Sequence, residues 1–253
     1  MASLESAGVI LRLINALQRP VTVTDLVSHL GMPKSSSSRL LRQMSEQGFL
    51  ERNPQTLAYG PALMVLELSR LVRSTTQLFP HLQGALQGLC VRSGHTGYLS
   101  VLDGVDVLVL FVQSGSHPLR LMTHPGHRSP AWATSTGRAL LALESDTAVR
   151  ERFAAGLPAV ADNAPADVDA LIARLATIRS QRYATALDEA LPGVGSVSCT
   201  VSDPHTCERL ALCLSFPSAS ASASAAHIEA LALDLMTEAS GVGRLVGDPL
   251  WTR

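Results

Sequence analysis

One stretch near the start of the chain constrains the fold more than any other: residues 22–47, TVTDLVSHLGMPKSSSSRLLRQMSEQ. Thr22 with Asp25 three residues later predicts a capped helix start, because each side chain can pair with a backbone N–H of the first turn. Gly31 predicts the end of that helix, since glycine readily adopts the left-handed C-cap conformation. Pro33 suits the first turn of a following helix, where its missing N–H costs nothing. We therefore predict two helices joined by a tight turn.

The second of these helices has two different faces. Helical spacing places Ser37, Leu40, Leu41 and Met44 on an inner face. The outer face carries hydroxyl and guanidinium groups and no carboxylate before Glu46. Short hydroxyls allow close approach to a phosphate backbone, and arginines reach phosphates or the acceptor edge of guanine. The predicted DNA-contacting residues are Thr22, Lys34, Ser35, Ser36, Ser38, Arg39 and Arg42.

A β-hairpin is predicted directly after these two helices. A helical hairpin with a polar face also occurs in proteins that never contact nucleic acid, so the following segment matters. Residues 49–52 predict a strand, Asn53-Pro54-Gln55 a turn, and residues 57–59 a returning strand. Residues 6–17 predict a helix that packs behind the pair. Helices followed by a hairpin are the plan of a winged helix, which favours DNA binding.

The run RPVTVTDLVSHLGMPKSSSSRLLRQMSEQGFLERN resembles the DNA-binding region of the IclR family of bacterial transcriptional regulators. The resemblance continues through TGYLSVLDG, PLRLMTHPGHRSPAWATSTGRALLA, PGVGSVSCTVSD and LALCLSFP, and so covers nearly the whole chain. It implies an α+β protein with a winged helix-turn-helix domain over residues 1–60, a linker helix over 61–76, and a GAF-like α/β effector-binding domain over 77–253. The chain departs from the usual family residues at Ser37, Ser38 and Ala58.

Charge and composition agree with this division. Residues 1–76 carry 8 Lys+Arg against 5 Asp+Glu, whereas the rest of the chain carries 12 against 16. The basic excess thus accompanies the predicted DNA-binding region. We find no signal-peptide pattern and no apolar run that approaches a membrane span, so we expect a cytoplasmic protein without membrane contact. The four cysteines lack zinc-ribbon spacing and are expected to be reduced.

The predicted linker helix begins at Gly60-Pro61 and is rich in leucine. Such an apolar surface between two domains is typical of a partner contact, and we interpret the helix as part of a dimer interface. A helix packed only on its own domain is the alternative. The expected assembly is a homodimer or a dimer of dimers, which would place two DNA-binding heads on half-sites of a near-palindromic operator.

Strands and helices alternate in the remainder of the chain, which predicts an α+β sensor module. The expected helices span residues 80–93, 135–143, 167–178 and 226–246. The expected strands span residues 96–102, 107–113, 119–123, 183–187, 194–203 and 209–216, with a loop at 125–130 and a low-complexity turn at 218–225.

Alternation along the last two strands predicts where a ligand binds. One face of this strand pair is apolar: it carries residues 197, 199 and 201 of the first strand and residues 210, 212, 214 and 216 of the second. The opposite face carries small hydroxyl and thiol groups. That polar face, with the helix start at residues 134–137, would suit a small carboxylate. A solvent-exposed sheet face is the alternative interpretation.

The family resemblance places the effector pocket in these same segments. The residues carried over by position are Ser135, Thr136, Ser196, Cys213 and Ser215, with Asp188 or Glu189 as a further candidate. Several family members have Gly-Ala where this chain has Ser135-Thr136, so we expect a narrower and more polar pocket with a different ligand.

Two other classes of function remain as alternatives. An enzyme would need a nucleophile with a base, for which Cys199 and His205 are the available pair, but no G-x-S-x-G or H-E-x-x-H motif occurs. A metal-responsive regulator would use histidines and cysteines of the second domain. We predict no catalytic residue, no cofactor and no metal, and retain a metal sensor as the alternative, its candidate ligands being His117, His124, His127, Cys199, His205 and Cys207.

Overall fold

Two compact units, Met1–Thr75 and Thr76–Arg253, make up the chain in a computed structural model. The structure describes residues 3–74, 78–117, 123–219 and 224–252. The first unit contains helices and a hairpin, and the second contains a sheet covered by helices, so the predicted α+β class is confirmed. A separate linker over residues 61–76 stays a proposal.

The first unit is a winged helix. Its helices are α1 (Ser3–Leu17), α2 (Val23–Leu30), α3 (Lys34–Glu46) and α4 (Leu63–Ser74), and its antiparallel hairpin consists of β1 (Leu50–Arg52) and β2 (Tyr59–Pro61). The inner faces of the first three helices meet the hairpin in one apolar core that includes Ile10, Leu26, Leu41 and Leu50.

Capping residues set the boundaries of α2 and the start of α3. The Thr22 side chain accepts a hydrogen bond from the Asp25 N–H, and the Asp25 carboxylate accepts one from the Thr22 N–H. Gly31 ends α2 with a φ of 63°. Pro33 is the residue before α3 rather than a member of its first turn, because its ψ of 139° is not helical.

The wing differs from its prediction by two residues. The returning strand was expected at residues 57–59 but is Tyr59–Pro61. Leu57 has a φ of 59°, which extends the turn and cannot belong to a strand. Gly60 and Pro61 therefore pair with β1, and α4 begins only at Leu63.

The second unit is a three-layer arrangement. Its helices are α5 (Leu78–Ser93), α6 (Ser135–Leu141), α7 (Asp146–Arg152), α8 (Val168–Gln181) and α9 (Ala225–Val246), with a short 3-10 helix at Ala131–Ala133. Its strands are β3 (Thr96–Asp103), β4 (Asp106–Gln113), β5 (Arg128–Pro130), β6 (Ala184–Leu187), β7 (Val194–Asp203) and β8 (Glu208–Pro217).

The six strands form one antiparallel sheet in the order β5-β4-β3-β8-β7-β6. Helices α5 and α9 cover one face and bury the odd-numbered residues of β7, Val197 and Cys199 among them. Helices α6, α7 and α8 pack in a second core on the other face. The inside-outside assignment of the β7–β8 hairpin is thus confirmed.

Two elements of this unit depart from expectation. The loop predicted at residues 125–130 contains β5, because Arg128–Pro130 pair with β4. Helix α6 ends at Leu141, two residues before its predicted end. The strand predicted at 119–123 falls almost wholly outside the described residues, and so does the middle of the 218–225 segment.

Candidate functional site

The outer face of α3 is exposed as the sequence predicts. Lys34, Ser35, Ser38, Arg39 and Arg42 are exposed, and Ser36 is half-buried. The inner face holds the buried Leu40, Leu41 and Met44. Ser37 is also fully buried, and its hydroxyl donates to the Pro33 carbonyl at 3.1 Å, so a serine is accommodated in the core without a lost hydrogen bond.

The cations of this face are available to an external partner. Among the described residues, Lys34 and Arg39 have no carboxylate within ion-pair distance. Arg42 lies 3.8 Å from Glu46, but both side chains are more than 60% exposed. Exposed pairs of this kind contribute only about 0–1 kcal/mol, so a phosphate could replace Glu46 at little cost.

Thr22 holds the start of α2. Its N–H and its hydroxyl both lie within 2.8 Å of Asp25 Oδ2. Arg19 forms a bidentate pair with the same carboxylate, and hydrogen bonds from Arg19 and the Thr22 N–H hold the pKa of Asp25 well below its usual value. The Thr22 hydroxyl is thus engaged within the protein, whereas the basic side chains on the outer face of α3 are exposed and carry only the weak Arg42–Glu46 pair.

A cavity of about 510 Å³ lies between the sheet and the start of α6. It is bounded by β3, β4, β7 and β8, by the segment that leads into α6, and by the loop after β6. The described residues that line it are Tyr98, Ser100, Val107, Val109, Thr123, His127, Arg128, Ser129, Pro130, Ala133, Thr134, Thr136, Ala186, Glu189, Ala190, Leu191, Val194, Ser196, Cys213 and Ser215.

Of the predicted effector residues, Thr136, Ser196, Cys213 and Ser215 lie on this wall, and so does Glu189, the alternative to Asp188. Ser135 is fully buried one layer behind, because it faces β7. Asp188 does not line the cavity. Its carboxylate accepts hydrogen bonds from the Gly193 N–H at 2.7 Å and the Ser218 hydroxyl at 2.6 Å, which closes the loop after β6.

Four hydroxyls connect the wall with the layer behind it. Ser135 Oγ lies 2.7 Å from both Ser196 Oγ and Ser198 Oγ, and Thr136 Oγ1 lies 3.2 Å from Ser198 Oγ. We call this series, Thr136-Ser198-Ser135-Ser196, the hydroxyl chain. Only its two ends, Thr136 and Ser196, reach the cavity.

Tyr98 is a lining residue that the sequence analysis missed. Its hydroxyl lies 3.3 Å from Ser215 Oγ, and burial raises the pKa of Tyr98 to about 12, so the phenol is neutral and can donate. The side chain reaches the cavity because β3 pairs with β8, which sets Tyr98 opposite Cys213. That pairing joins strands more than 100 residues apart, and no local pattern reports it.

A buried ion pair fixes the loop that forms one side of the cavity. Arg138 donates to both oxygens of Glu189, at 2.5 and 2.9 Å, and also to the Trp132 carbonyl at 2.9 Å. Arg174 reaches the same carboxylate at 2.9 Å. Burial lowers the pKa of Arg138 and Glu189 opposes this, so the guanidinium stays charged. Losing one partner of such a pair costs about 3–5 kcal/mol.

The other lining groups are neutral or paired. Arg128 pairs with Asp103. Burial, with nearby His124, lowers the pKa of His127, which favours its neutral form. Burial also raises the pKa of the Cys213 thiol. The described wall therefore offers a ligand chiefly hydroxyl groups and apolar contacts.

The described residues do not bring together the candidate catalytic pair or a set of candidate metal ligands. Cys199 is fully buried on the apolar face, where burial raises the pKa of its thiol, whereas His205 and Cys207 are exposed in the hairpin turn. Within the described ranges, no three His, Cys, Asp or Glu side chains gather as metal ligands. No helix among those residues is long and apolar enough to cross a membrane.

Comparison with known families decides the identity. Residues 71–240 match the model described as "Bacterial transcriptional regulator IclR C-terminal", and residues 3–54 match the "IclR helix-turn-helix domain". The chain belongs to the IclR family. Members of this family are transcriptional regulators that pair a helix-turn-helix domain with a C-terminal effector-binding domain, so the predicted class of function is confirmed.

Individual IclR-family proteins match over most of their length. The chain is 30% identical to the "Probable transcriptional regulator SauR" of Cupriavidus necator, over 76% of this chain and 77% of the relative. It is 27% identical to the regulator XynR of Escherichia coli, over 79% of each chain.

Solved IclR structures share the fold. A regulator from Alicyclobacillus acidocaldarius superposes with a TM-score of 0.82 at 22% identity, over 98% of this chain and 99% of that one. An IclR homologue from Microbacterium hydrocarbonoxydans, complexed with 4-hydroxybenzoate, superposes with a TM-score of 0.75 at 21% identity, over 93% and 98%.

Proposed function

We propose that a small organic acid binds the cavity of the second unit and thereby changes the affinity of the protein for operator DNA. The observation that carries this proposal is a 510 Å³ cavity whose polar lining consists largely of hydroxyl groups. Hydrogen bonds from such donors to a carboxylate are charge-assisted and contribute roughly 1.5–3 kcal/mol each. The 4-hydroxybenzoate bound to an IclR homologue supports an acid as the ligand class.

Within the cavity, Tyr98, Ser196 and Ser215 are the proposed donors to the acid, with Thr136 and Cys213 beside them. Ser135 contributes through Ser196 rather than by direct contact. Asp188 contributes by closing the loop after β6. The apolar remainder of the ligand would lie against side chains such as Val107, Val109 and Leu191.

On the DNA side, Arg39 and Arg42 are the proposed principal contacts, with Lys34, Ser35, Ser36 and Ser38 placing α3 against the phosphate backbone. Thr22 contributes by fixing the start of α2. Two such heads in a homodimer, or four in a dimer of dimers, would bind half-sites about one or more helical turns apart. We thus propose a DNA-binding regulator that acts in the cytoplasm and is not an enzyme.

Helix α4 is the proposed dimer contact. Leu63, Leu66 and Leu68 are 72%, 67% and 50% exposed, although leucine is usually buried. Covering them in a second copy would remove apolar surface from water. An effector that favours one arrangement of this contact would alter the spacing of the two heads.

The test is a thermal-shift panel of small carboxylic acids, each paired with its neutral amide, followed by DNA-binding titrations. A ligand of the folded state raises the melting temperature, so at least one acid should do so more than its amide. The same acid should change operator affinity about 5–150-fold. The proposal fails if no acid exceeds its amide, or if a binding acid leaves DNA affinity unchanged.

A further inference from the structure

A second cavity of about 530 Å³ lies at the turn of the β7–β8 hairpin, at the opposite end of these two strands from the cavity at the start of α6. It is bounded by that turn, by the end of α8 and by the residues that follow α9, and no residue lines both cavities. Three arginines line it: Arg179, Arg182 and Arg209. We call this cavity the arginine groove.

Two of these arginines have no partner of opposite charge among the described residues. Arg179 is fully engaged, because its guanidinium pairs with Asp146 at 2.7 Å and donates to two backbone carbonyls after α6, at 3.0 and 2.8 Å. Arg182 and Arg209 are exposed, and within the described ranges neither guanidinium forms a hydrogen bond or an ion pair. Each guanidinium presents several N–H donors in a planar fork. The groove therefore offers two unused forks to a ligand.

Two carboxylates on the same wall are already used by the backbone. Asp248 accepts hydrogen bonds from the N–H groups of Ser202 and Leu250, at 2.7 and 2.8 Å. Asp203 accepts one from the His205 N–H at 2.9 Å. In the described part of the chain, neither carboxylate lies within ion-pair distance of a groove arginine. Their charges offset those of the two unpaired arginines, so a ligand gains there from directed hydrogen bonds to the forks rather than from charge alone.

Arg182 is held in place at the groove. Its guanidinium carbon lies 5.7 Å from the centre of the Trp251 ring, and the Trp251 indole is itself fixed, because its N–H donates to the Thr200 carbonyl at 2.9 Å. Arg182 ends α8 with a φ of 66°, and Cys207, on the same wall, has a φ of 59°. A left-handed backbone is unfavourable for such side chains and persists where the surrounding structure holds it, which is common at binding sites. The fork of Arg182 is thus positioned before a ligand arrives.

We propose that the arginine groove binds a small dianion, a phosphate monoester or a dicarboxylate, through the forks of Arg182 and Arg209. Paired N–H donors of guanidinium match the oxygens of phosphate and carboxylate groups. One carboxylate occupies one fork, as Glu189 does with Arg138, whereas a dianion can engage both. The remainder of the ligand would lie against apolar groups such as Leu250. This site is separate from the proposed effector site and does not depend on it.

The experiment compares each dianion with a monoanion of nearly the same shape: phenyl phosphate with phenyl sulfate, and succinate with succinamate. Calorimetric titration of the full-length protein at about pH 7.5, where a phosphate monoester is mostly doubly charged, gives an affinity ratio for each pair. At least one dianion should bind at least about fivefold more tightly than its monoanion, because it engages the second fork. The pair that shows the larger ratio identifies phosphate or dicarboxylate as the ligand chemistry.

Arg182→Gln and Arg209→Gln each remove one fork and should reduce this preference to within about twofold of unity. Both side chains are exposed, so either variant carries the test if the other fails to fold. Arg244→Gln is the matched control, because it removes an exposed guanidinium of α9 that does not line the groove, and it should keep the parent preference. A parent protein that binds each dianion no better than its monoanion overturns the inference. So does a preference that survives both groove variants or disappears in Arg244→Gln.

Discussion

At the scale of single residues, Arg39 and Arg42 are expected to contribute differently to DNA binding. Arg39→Ala should weaken binding to a selected operator by about 1–3 kcal/mol if it contacts a base edge. Arg42→Ala should weaken operator and random DNA alike and reduce the salt dependence by about one unit of slope, as expected for a phosphate contact. Fluorescence-anisotropy titrations at several salt concentrations measure both effects.

The control is Arg12→Ala, which removes an exposed guanidinium from α1 of the same unit. It should change the affinity far less than either α3 substitution. If the Arg39 and Arg42 variants bind operator DNA as the parent does, the outer face of α3 is not the reading surface.

Ser215 and Cys199 provide a matched pair on opposite faces of the sheet. Ser215→Val removes a hydroxyl that lies 3.3 Å from Tyr98 and adds a methyl group to the cavity. We expect the variant to fold and bind operator DNA but to lose roughly tenfold or more in effector affinity. Calorimetry with the tightest acid of the panel measures this loss.

Cys199→Ser places a hydroxyl in the apolar core between the sheet and helices α5 and α9. Burying a hydroxyl without a partner costs about 1–3 kcal/mol, so this variant should unfold at a lower temperature and keep its effector affinity. The reverse result, with ligand binding lost at Cys199 and retained at Ser215, would mean that the ligand does not bind in the cavity on the Ser215 face of the sheet.

At the scale of elements, the cap of α2 makes the DNA-binding unit sensitive to acid. Hydrogen bonds from Arg19 and Thr22 lower the pKa of Asp25 in the folded state. A depressed pKa contributes stability above the unfolded value of about 3.9, and this stability is lost as pH falls below it. Protection of the α2 amides from hydrogen exchange should therefore begin to decline at about pH 5 and continue to decline below about pH 3, toward the depressed pKa of the folded state.

Asp25→Asn tests this assignment, because it removes the charge and keeps the shape. Opening of α2 should become easier by about 0.5–2 kcal/mol at pH 7, and the decline between pH 5 and pH 3 should flatten. Helix α8, capped by Asp167, serves as the internal reference and should exchange as in the parent. An unchanged pH profile for α2 would assign the acid sensitivity elsewhere.

At the scale of the whole molecule, the exposed leucines of α4 should hold two copies together. Leu66→Glu places a charge in the proposed contact, and we expect it to shift the protein toward monomer in light scattering and to weaken operator binding. Leu4→Glu changes an even more exposed leucine, on α1, and should leave the dimer in place. A Leu66→Glu protein that keeps the parent mass would exclude α4 from the interface.

The sequence predicted those parts of the molecule that local rules control. Capping rules located α2 and the turn, and strand alternation placed Ser196, Cys213 and Ser215 on one face. Contacts between distant segments escaped prediction: Tyr98 reaches the cavity through pairing of β3 with β8, and Arg138 meets Glu189 51 residues later. Of the two loop candidates, Glu189 lines the cavity and Asp188 does not, because the Asp188 carboxylate closes the loop through hydrogen bonds that its composition does not predict.

Lys34, at the first position of α3, is the only lysine in the chain. Its amine is exposed, and the other basic side chains are guanidinium or imidazole groups that acylating reagents modify poorly at neutral pH. Apart from the terminal amine, a succinimidyl ester would therefore label the protein at one point on the proposed DNA-binding face. Bound DNA should shield that amine and slow its labelling. The labelling rate, followed by mass spectrometry, would therefore report whether DNA covers α3, without any mutation. Because Lys34 is the only lysine, lysine-directed coupling to a solid support would attach the protein through this same face. Such coupling is therefore unsuitable for DNA-binding assays of this protein.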